Sequence, residues 1–170
     1  MEKILVNNIK FYRKTNICNK KDLISIKERI DLEFAKNNIV WTHPLYQTQN
    51  DLEIRLKEHK SFINLKNKIF KIVKTIDKNL KFHSCWCNLS VEDNEYCFHK
   101  HKTKLTCVFY LQSKESCYGL RLENPSLIFP AIENSVLIFD GSISHSIEYM
   151  PNKIFDNIDS HRYSIVFDFN

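Results

Sequence analysis

The chain has 170 residues, 43% hydrophobic and 26% charged, which is typical of a globular protein long enough to bury a sizeable core in one domain. Its formal net charge of +5 at pH 7 comes mostly from scattered lysines, without an arginine-rich face, so we do not expect a nucleic acid as a partner. No apolar run approaches the ~18 residues of a membrane span and no secretory segment follows Met1, so we expect a cytoplasmic protein with no membrane partner.

The first 80 residues are expected to be mainly helical. Apolar side chains at helical spacing predict a helix that Asn19 caps and that ends near Ala35. A stronger apolar stripe over residues 62–80 predicts a second helix with one face in the core. Residues 9–13 form a candidate strand, and residues 41–50, rich in aromatic and amide side chains, are expected to form an ordered loop.

From residue 81 onward the pattern is that of β-strands. Runs of β-branched and aromatic residues predict strands at 82–91, 97–102, 104–112, 119–124, 135–140, 143–149 and 161–169. Helices followed by many strands predict an α+β fold, a β-sandwich or open barrel supported by helices on one side. We expect one domain over residues 1–170, with helical support and an entrance loop in residues 1–80 and the β core in residues 81–170.

Two histidines one residue apart, His99 and His101, precede the most apolar of these strands. Because side chains alternate between the faces of a strand, both imidazoles can lie on one face and bind adjacent positions on a metal ion. A third imidazole, His145, follows another strand-like run. Three imidazoles, or two and a carboxylate, leave coordination positions open for other ligands, as in non-haem Fe(II) oxygenases.

An arginine near the C-terminus is the second candidate binding residue. Alternation places Arg162, Ser164 and Asp168 on one face of the last strand and its aromatic and aliphatic residues on the other. A guanidinium beside a hydroxyl is suited to binding a carboxylate, although for Arg162 taken alone a salt bridge to a nearby Asp or Glu is the better explanation. Arg121 is a second candidate for the same role, because its strand neighbours are leucines.

The order of these motifs resembles that of the 2-oxoglutarate- and Fe(II)-dependent oxygenases, and in particular of small members from phages and bacteria. The resemblance covers about residues 38–170, and its order is more specific than any single motif. The segments that carry it are Trp41, Tyr46 to Leu52, Trp86 to Asn88, His99 to His101, Val108 to Leu111, Gly119 to Pro125, Phe129 to Pro130, Val136 to Phe139, His145, and Arg162 to Ser164.

This resemblance implies a double-stranded β-helix (a jelly-roll, cupin-like fold) with supporting N-terminal helices. It implies a dioxygenase that uses Fe(II), O₂ and the cosubstrate 2-oxoglutarate to hydroxylate a C–H bond of a peptide, an amino acid or another small metabolite, with release of succinate and CO₂. The residues implied are His99, His101 and His145 as catalytic metal ligands, Arg162 with Ser164 for the distal carboxylate of 2-oxoglutarate, and Tyr110, Asn88 and Tyr96 as candidates for further contacts with it.

The second metal ligand is open at this stage. The larger superfamily has an acidic residue at the position of His101, so a carboxylate from Asp93, Glu95 or Asp140 could take its place. We favour His101 because a strand would present it beside His99.

Two other functions are also open. A cupin-type dioxygenase with three histidine ligands would not use 2-oxoglutarate, but residues 102–106 lack the glutamate of the cupin motif, and Arg162 with Ser164 would have no required role. A non-catalytic metal-binding barrel is the other alternative.

Overall fold

The structure is a computed structural model that describes residues 1–36, 39–42, 45–90, 97–113, 119–147 and 161–170. In chain order its elements are β1 (Glu2–Val6), β2 (Ile9–Thr15), α1 (Lys20–Ala35), β3 (Ile39–Thr42), β4 (Leu45–Thr48), α2 (Leu52–Arg55), α3 (Lys60–Ile76), β5 (Phe82–Ser90), β6 (Leu105–Gln112), β7 (Leu120–Leu122), β8 (Leu127–Phe129), β9 (Ser135–Phe139), β10 (His145–Ile147) and β11 (Arg162–Phe169). Within these described ranges, no helix combines the length and the apolar character needed to cross a bilayer.

The strands form two antiparallel sheets. The large sheet has the order β1-β2-β9-β6-β11-β5-β4-β3, and the small sheet has the order β10-β7-β8. Strand β11 lies in the middle of the large sheet, where it pairs with β5 on one side and with β6 on the other. Residues on β5, β6 and β11 are therefore held in a fixed register with one another.

Two apolar clusters give the molecule its layers. In the first, α1 and α3 pack against one face of the large sheet, through residues such as Ile26, Ile30, Leu65 and Phe167. In the second, the opposite face of the large sheet packs against the small sheet, through residues such as Phe11, Tyr110, Leu122 and Phe139. The cavity described below opens in this second layer.

Both predicted long helices are confirmed, with small differences at their ends. Asn19 caps α1, where its side-chain oxygen accepts a hydrogen bond from the Asp22 amide at 2.8 Å. Helix α3 begins at Lys60, earlier than predicted, because His59 caps it by accepting from the Phe62 amide at 3.3 Å. The predicted strands at 82–91, 104–112, 119–124, 135–140, 143–149 and 161–169 correspond to β5, β6, β7, β9, β10 and β11.

The predicted strand over residues 97–102 is wrong. His99 forms an isolated bridge with His145, and residues 100–104 form bends and irregular backbone. Three lysines lie in this segment, which therefore lacks the alternating apolar side chains that hold a strand in a sheet. The segment is positioned instead by single backbone hydrogen bonds to distant residues.

The first 80 residues contain more strand than the sequence predicts. Part of the predicted loop at residues 41–50 lies in the β3–β4 hairpin, which extends the large sheet at the edge beyond β5. Strand β1 was also missed, because it lies at the opposite edge and is mostly exposed, so its apolar pattern is weak.

Candidate functional site

A cavity of about 550 Å³ lies between the two sheets. Its apolar walls include Trp86 on β5, Val108 on β6 and Val166 on β11. Its polar lining includes the three candidate histidines, Asn88, Arg162, Ser164 and Asp168. Most of the site residues predicted from the sequence therefore face one cavity.

The three histidines come together although they are distant in sequence. Each histidine offers one ring nitrogen as a potential metal ligand, and these three nitrogens lie within 4.8 Å of one another. Within the described residues, these histidines form the group of potential ligands that could hold a metal ion. His99 and His145 are joined by two backbone hydrogen bonds, of 2.9 and 3.0 Å, and the His101 amide donates to the Gly141 carbonyl at 2.8 Å. The turn at Gly141 thus helps to fix the position of His101, and the paired backbones of His99 and His145 fix those two residues relative to each other.

One nitrogen of each imidazole is already engaged in a hydrogen bond. His99 Nδ1 lies 3.3 Å from the Cys97 carbonyl oxygen, and His145 Nδ1 lies 2.8 Å from the Ile143 carbonyl oxygen. Because a carbonyl oxygen only accepts, each of these Nδ1 atoms carries the proton and each Nε2 keeps its lone pair. His101 Nδ1 lies 3.0 Å from both carboxylate oxygens of Asp168. This arrangement leaves the Nε2 atoms as the three candidate ligands.

Burial favours the neutral imidazole in two of the three histidines, His99 and His145. Desolvation, reinforced by the neighbouring His99, lowers the pKa of His145 to about 3. Desolvation also lowers the pKa of His99, although the Cys97 carbonyl partly opposes the shift. Neutral imidazole is the form that binds a metal ion, so both groups are available as ligands at neutral pH.

Arg162 is a buried cation at the other end of the cavity. Its residue is only 3% exposed, and its Nη2 donates to Ser164 Oγ at 3.4 Å. The guanidinium carbon lies 5.2 Å from the centre of the Tyr110 ring. Among the residues that the structure describes, no carboxylate pairs with Arg162, and its Nε and Nη1 atoms are buried without a hydrogen-bond partner. A buried, unpaired guanidinium is costly, which indicates a site for an anion.

Further polar groups surround Arg162 in register. Ser164 lies opposite Asn88 on β5 and opposite Tyr110 on β6, so the three side chains form a row across the sheet. Asn88 Oδ1 and the Tyr110 hydroxyl are buried and have no hydrogen-bond partner within the described part of the chain. Burial raises the pKa of Tyr110, so its hydroxyl stays protonated and can donate to an anion.

Several candidates from the sequence lie elsewhere. Asp140 is exposed and accepts hydrogen bonds from the Ser142 amide and hydroxyl, at 2.8 and 2.7 Å, so it does not join the histidines. Arg121 stacks over the Phe98 ring at 5.5 Å and is not part of the cavity lining. Asp93, Glu95 and Tyr96 lie outside the described residues.

Three residues of the site were not proposed from the sequence. Asp168 binds His101, Thr106 donates to Asp168 Oδ1 at 2.7 Å, and Ser90 lies opposite Arg162 with a buried hydroxyl that lacks a partner among the described residues. Alternation along β11 predicts that Asp168 shares a face with Arg162, but it does not identify His101 as the partner of Asp168. Ser90 and Thr106 are identified only by the register of β5 and β6 with β11.

Comparisons with known proteins identify the fold. No family model and no curated protein matches the sequence. The structure is similar to the α-ketoglutarate-dependent epimerase SnoN from nogalamycin biosynthesis, with a TM-score of 0.74 and 10% identity over 94% of this chain and 77% of that one.

Two further solved structures are similar over most of both chains. HygX from Streptomyces hygroscopicus, with nickel, 2-oxoglutarate and hygromycin B bound, has a TM-score of 0.68 and 8% identity, covering 94% of this chain and 82% of that one. The 2-oxoglutarate complex of the collagen prolyl hydroxylase of Paramecium bursaria chlorella virus 1 has a TM-score of 0.66 and 9% identity, covering 94% of both chains. The resemblance predicted from the sequence is thus confirmed in the fold: the chain is a double-stranded β-helix of the kind found in 2-oxoglutarate- and Fe(II)-dependent oxygenases.

Proposed function

We propose that this protein is a non-haem Fe(II)- and 2-oxoglutarate-dependent dioxygenase that hydroxylates a C–H bond of a peptide, an amino acid or another small metabolite. The observation that carries the proposal is that a three-histidine cluster faces the same cavity as a buried arginine, which has no carboxylate partner among the described residues. A metal site alone fits many proteins, but a metal site with a carboxylate anchor at the far end of its cavity fits a bound dicarboxylate. One structural neighbour, HygX, has nickel, 2-oxoglutarate and hygromycin B bound, which supports the proposal.

The donor set fits Fe(II). His99, His101 and His145 would hold the metal through three neutral imidazole nitrogens on one side, which leaves positions for 2-oxoglutarate and O₂. Bound iron would supply the oxidative chemistry that couples the decarboxylation of 2-oxoglutarate to the oxidation of a substrate C–H bond, with succinate and CO₂ as products.

The protein's own residues would bind and orient the cosubstrate. The guanidinium of Arg162 would bind the distal carboxylate through the two nitrogens that lack partners among the described residues, and Ser164 and Tyr110 would donate further hydrogen bonds. Asn88 can turn its amide group so that the NH₂ faces the anion. Trp86 and Val166 would limit the access of water to the space between the metal and this anchor.

Succinate release from 2-oxoglutarate, in the presence of Fe(II) and ascorbate, tests the proposal. We expect slow turnover by the wild type without any added substrate, and its loss in His145→Ala and Arg162→Ala. Two control variants, His161→Ala and Arg121→Ala, remove the same side chains at positions that do not line the cavity and should keep the wild-type rate. Equal succinate release by all five proteins, or none by the wild type, would contradict the proposal.

One observation favours a second function. No carboxylate belongs to the donor cluster within the described residues, and a three-histidine set is also what a cupin-type dioxygenase that does not use 2-oxoglutarate would require. Calorimetric titration of the metal-loaded protein with 2-oxoglutarate distinguishes the two. Binding that disappears in Arg162→Ala supports the first function, whereas a metal-loaded protein that does not bind 2-oxoglutarate supports the second.

A further inference from the structure

We propose that Asp168 is a positioning residue for His101: its carboxylate holds the imidazole in the Nδ1–H tautomer and turns Nε2 towards the other two histidines. The inference deepens the proposed function and rests on its metal site, but it concerns an interaction that exists in the protein before any metal or cosubstrate binds. It also gives a carboxylate, that of Asp168, a role in a metal site whose second ligand position is a histidine, His101.

The geometry of Asp168 is fixed by the sheet. Asp168 is the penultimate residue of β11 and lies directly opposite Thr106 on β6. It is only 4% exposed, and its Oδ1 accepts a hydrogen bond of 2.7 Å from Thr106 Oγ1. Both of its oxygens lie 3.0 Å from His101 Nδ1. The carboxylate is therefore held by strand pairing and by Thr106, independently of the segment that carries His101.

The chemistry of a carboxylate determines the tautomer. An ionised carboxylate only accepts hydrogen bonds, so the nitrogen facing it must carry the proton. The opposite tautomer would place the Nδ1 lone pair 3.0 Å from two negatively charged oxygens, which is repulsive. With Nδ1 protonated, the lone pair is on Nε2, and the nearby negative charge increases the basicity of that atom as a ligand.

His101 needs this support more than the other two histidines do. The Nδ1 atoms of His99 and His145 donate to backbone carbonyls two residues away in their own segments. His101 lies in the stretch of bends and irregular backbone that precedes β6, and its Nδ1 partners are side chains. Trp86, with its ring centre 5.4 Å from that of the imidazole, packs against it and further limits its rotation.

Asp168 is not placed to be a ligand itself. It is absent from the cluster of ligand-type atoms within 4.8 Å that the described residues form, and its oxygens face His101 Nδ1 and Thr106. The carboxylate of Asp168 therefore does not bind the metal directly. It would act on the metal site through the imidazole of His101.

Nitrogen NMR of the metal-free, ¹⁵N-histidine-labelled protein tests the inference, recorded at alkaline pH so that the imidazoles are neutral. In the wild type we expect His101 to show a protonated Nδ1 and an unprotonated Nε2. In Asp168→Asn the amide can donate to Nδ1, so the Nε2–H tautomer should become populated. The matched control is Asp140→Asn, an exposed carboxylate whose Oδ1 accepts hydrogen bonds from Ser142, which an amide oxygen can also accept; it should leave the His101 tautomer unchanged.

Titration with Co(II), followed by its visible absorption, gives the effect on metal binding. We expect Asp168→Asn to weaken Co(II) about 10- to 100-fold and Asp140→Asn to have no effect. Thr106→Val, which removes the hydroxyl but keeps the shape, should give a smaller loss and provides a second test if Asp168→Asn does not fold. The inference would be overturned if Asp168→Asn and Thr106→Val both kept the wild-type tautomer of His101 and the wild-type Co(II) affinity. A Co(II) spectrum of the wild type that shows a carboxylate among the ligands would also overturn it.

The failure of this inference can be distinguished from that of the proposed function. A wild type that binds Co(II) and 2-oxoglutarate, but whose His101 tautomer does not respond to Asp168→Asn, refutes only the role of Asp168. A wild type with the expected tautomer response that releases no succinate refutes only the dioxygenase.

Discussion

Arg162 illustrates at the level of one residue how a binding group can lower stability. Its buried guanidinium has two nitrogens without a partner in the described part of the chain, so folding removes them from water without compensation. We expect Arg162→Met to leave the ligand-free protein as stable as the wild type, or to stabilise it by about 1–3 kcal/mol, because an unsatisfied buried group is removed. Urea unfolding without ligand measures this free energy.

The same substitution should abolish the response to the cosubstrate. In a thermal melt with Mn(II) present throughout, the addition of 2-oxoglutarate should raise the melting temperature of the wild type and of Arg121→Met, but not that of Arg162→Met. A ligand-free Arg162→Met that is much less stable than the wild type would show instead that the guanidinium serves the fold.

His145 carries a pH dependence whose sign follows from its burial. Desolvation lowers its pKa to about 3, so the native state binds fewer protons than the unfolded state between that pH and the ordinary histidine value of ~6.5. The stability that depends on the neutral imidazole is complete above ~6.5 and is lost as the pH falls through this window, by up to ~1.4 kcal/mol per pH unit. Urea unfolding of the metal-free protein across this range should show a shallower pH slope in His145→Asn. An identical slope would contradict the burial of His145.

At the level of the element, the turn at Gly141 positions the segment that carries His101. Gly141 has a carbonyl that accepts from the His101 amide, and a Cβ added to it would overlap the carbonyl oxygen of Thr103. The φ angle of Gly141 is not positive, so glycine is required for this close approach and not for an unusual backbone conformation. We expect Gly141→Ala to displace the segment of His101 and to weaken Co(II) binding at least 10-fold.

Gly119 provides the matched control. A Cβ there would overlap the Phe129 carbonyl oxygen on β8, at the opposite end of β7 from Leu122, the residue that pairs with His145. Gly119→Ala should therefore lower the melting temperature without an equal loss of Co(II) affinity. If both variants lose affinity in proportion to their loss of stability, the turn at Gly141 has no specific role in the metal site.

The elements predicted correctly from the sequence are those whose burial is regular. Strand β11 alternates between cavity residues such as Arg162 and core residues such as Phe167, and this pattern predicted that Arg162 lies on the face opposite the core residues. The segment from His99 to His101 failed as a strand because long-range hydrogen bonds to Gly141 and His145 determine its conformation. Local periodicity cannot indicate such contacts. The sequence therefore identified the three histidines as candidate metal ligands, but it did not predict their backbone conformation or the role of Asp168.

At the level of the whole molecule, the strand predicted at residues 9–13 is confirmed as β2, but the place of the N-terminal strands in the large sheet could not be predicted. Strand β2 pairs with β9, near the other end of the chain, and extends the large sheet beside the strand that leads to His145. The pairing of such distant segments depends on the fit between surfaces that only the folded chain presents. Phe11 on β2 is fully buried between the two sheets, with its ring centre 4.6 Å from that of Phe129 and 6.2 Å from that of Phe139.

This packing predicts that residues 1–170 unfold as one unit, although the cavity is formed mainly by residues after position 81. Phe11→Ala should lower the free energy of unfolding by about 3–5 kcal/mol, because it leaves a cavity between the sheets. Leu5→Ala, at a position 62% exposed, should change it by less than about 0.5 kcal/mol.

Two probes of the same urea titration test this unity, with Trp41 replaced by Phe so that fluorescence reports only Trp86 in the cavity wall. Circular dichroism reports the helices and both sheets. If the chain is one cooperative domain, Phe11→Ala shifts both midpoints equally, since the sheet that holds β2 also holds β5 and β11. A variant in which the Trp86 transition keeps its midpoint while the circular dichroism signal divides into two steps would show that the site folds independently of the N-terminal strands.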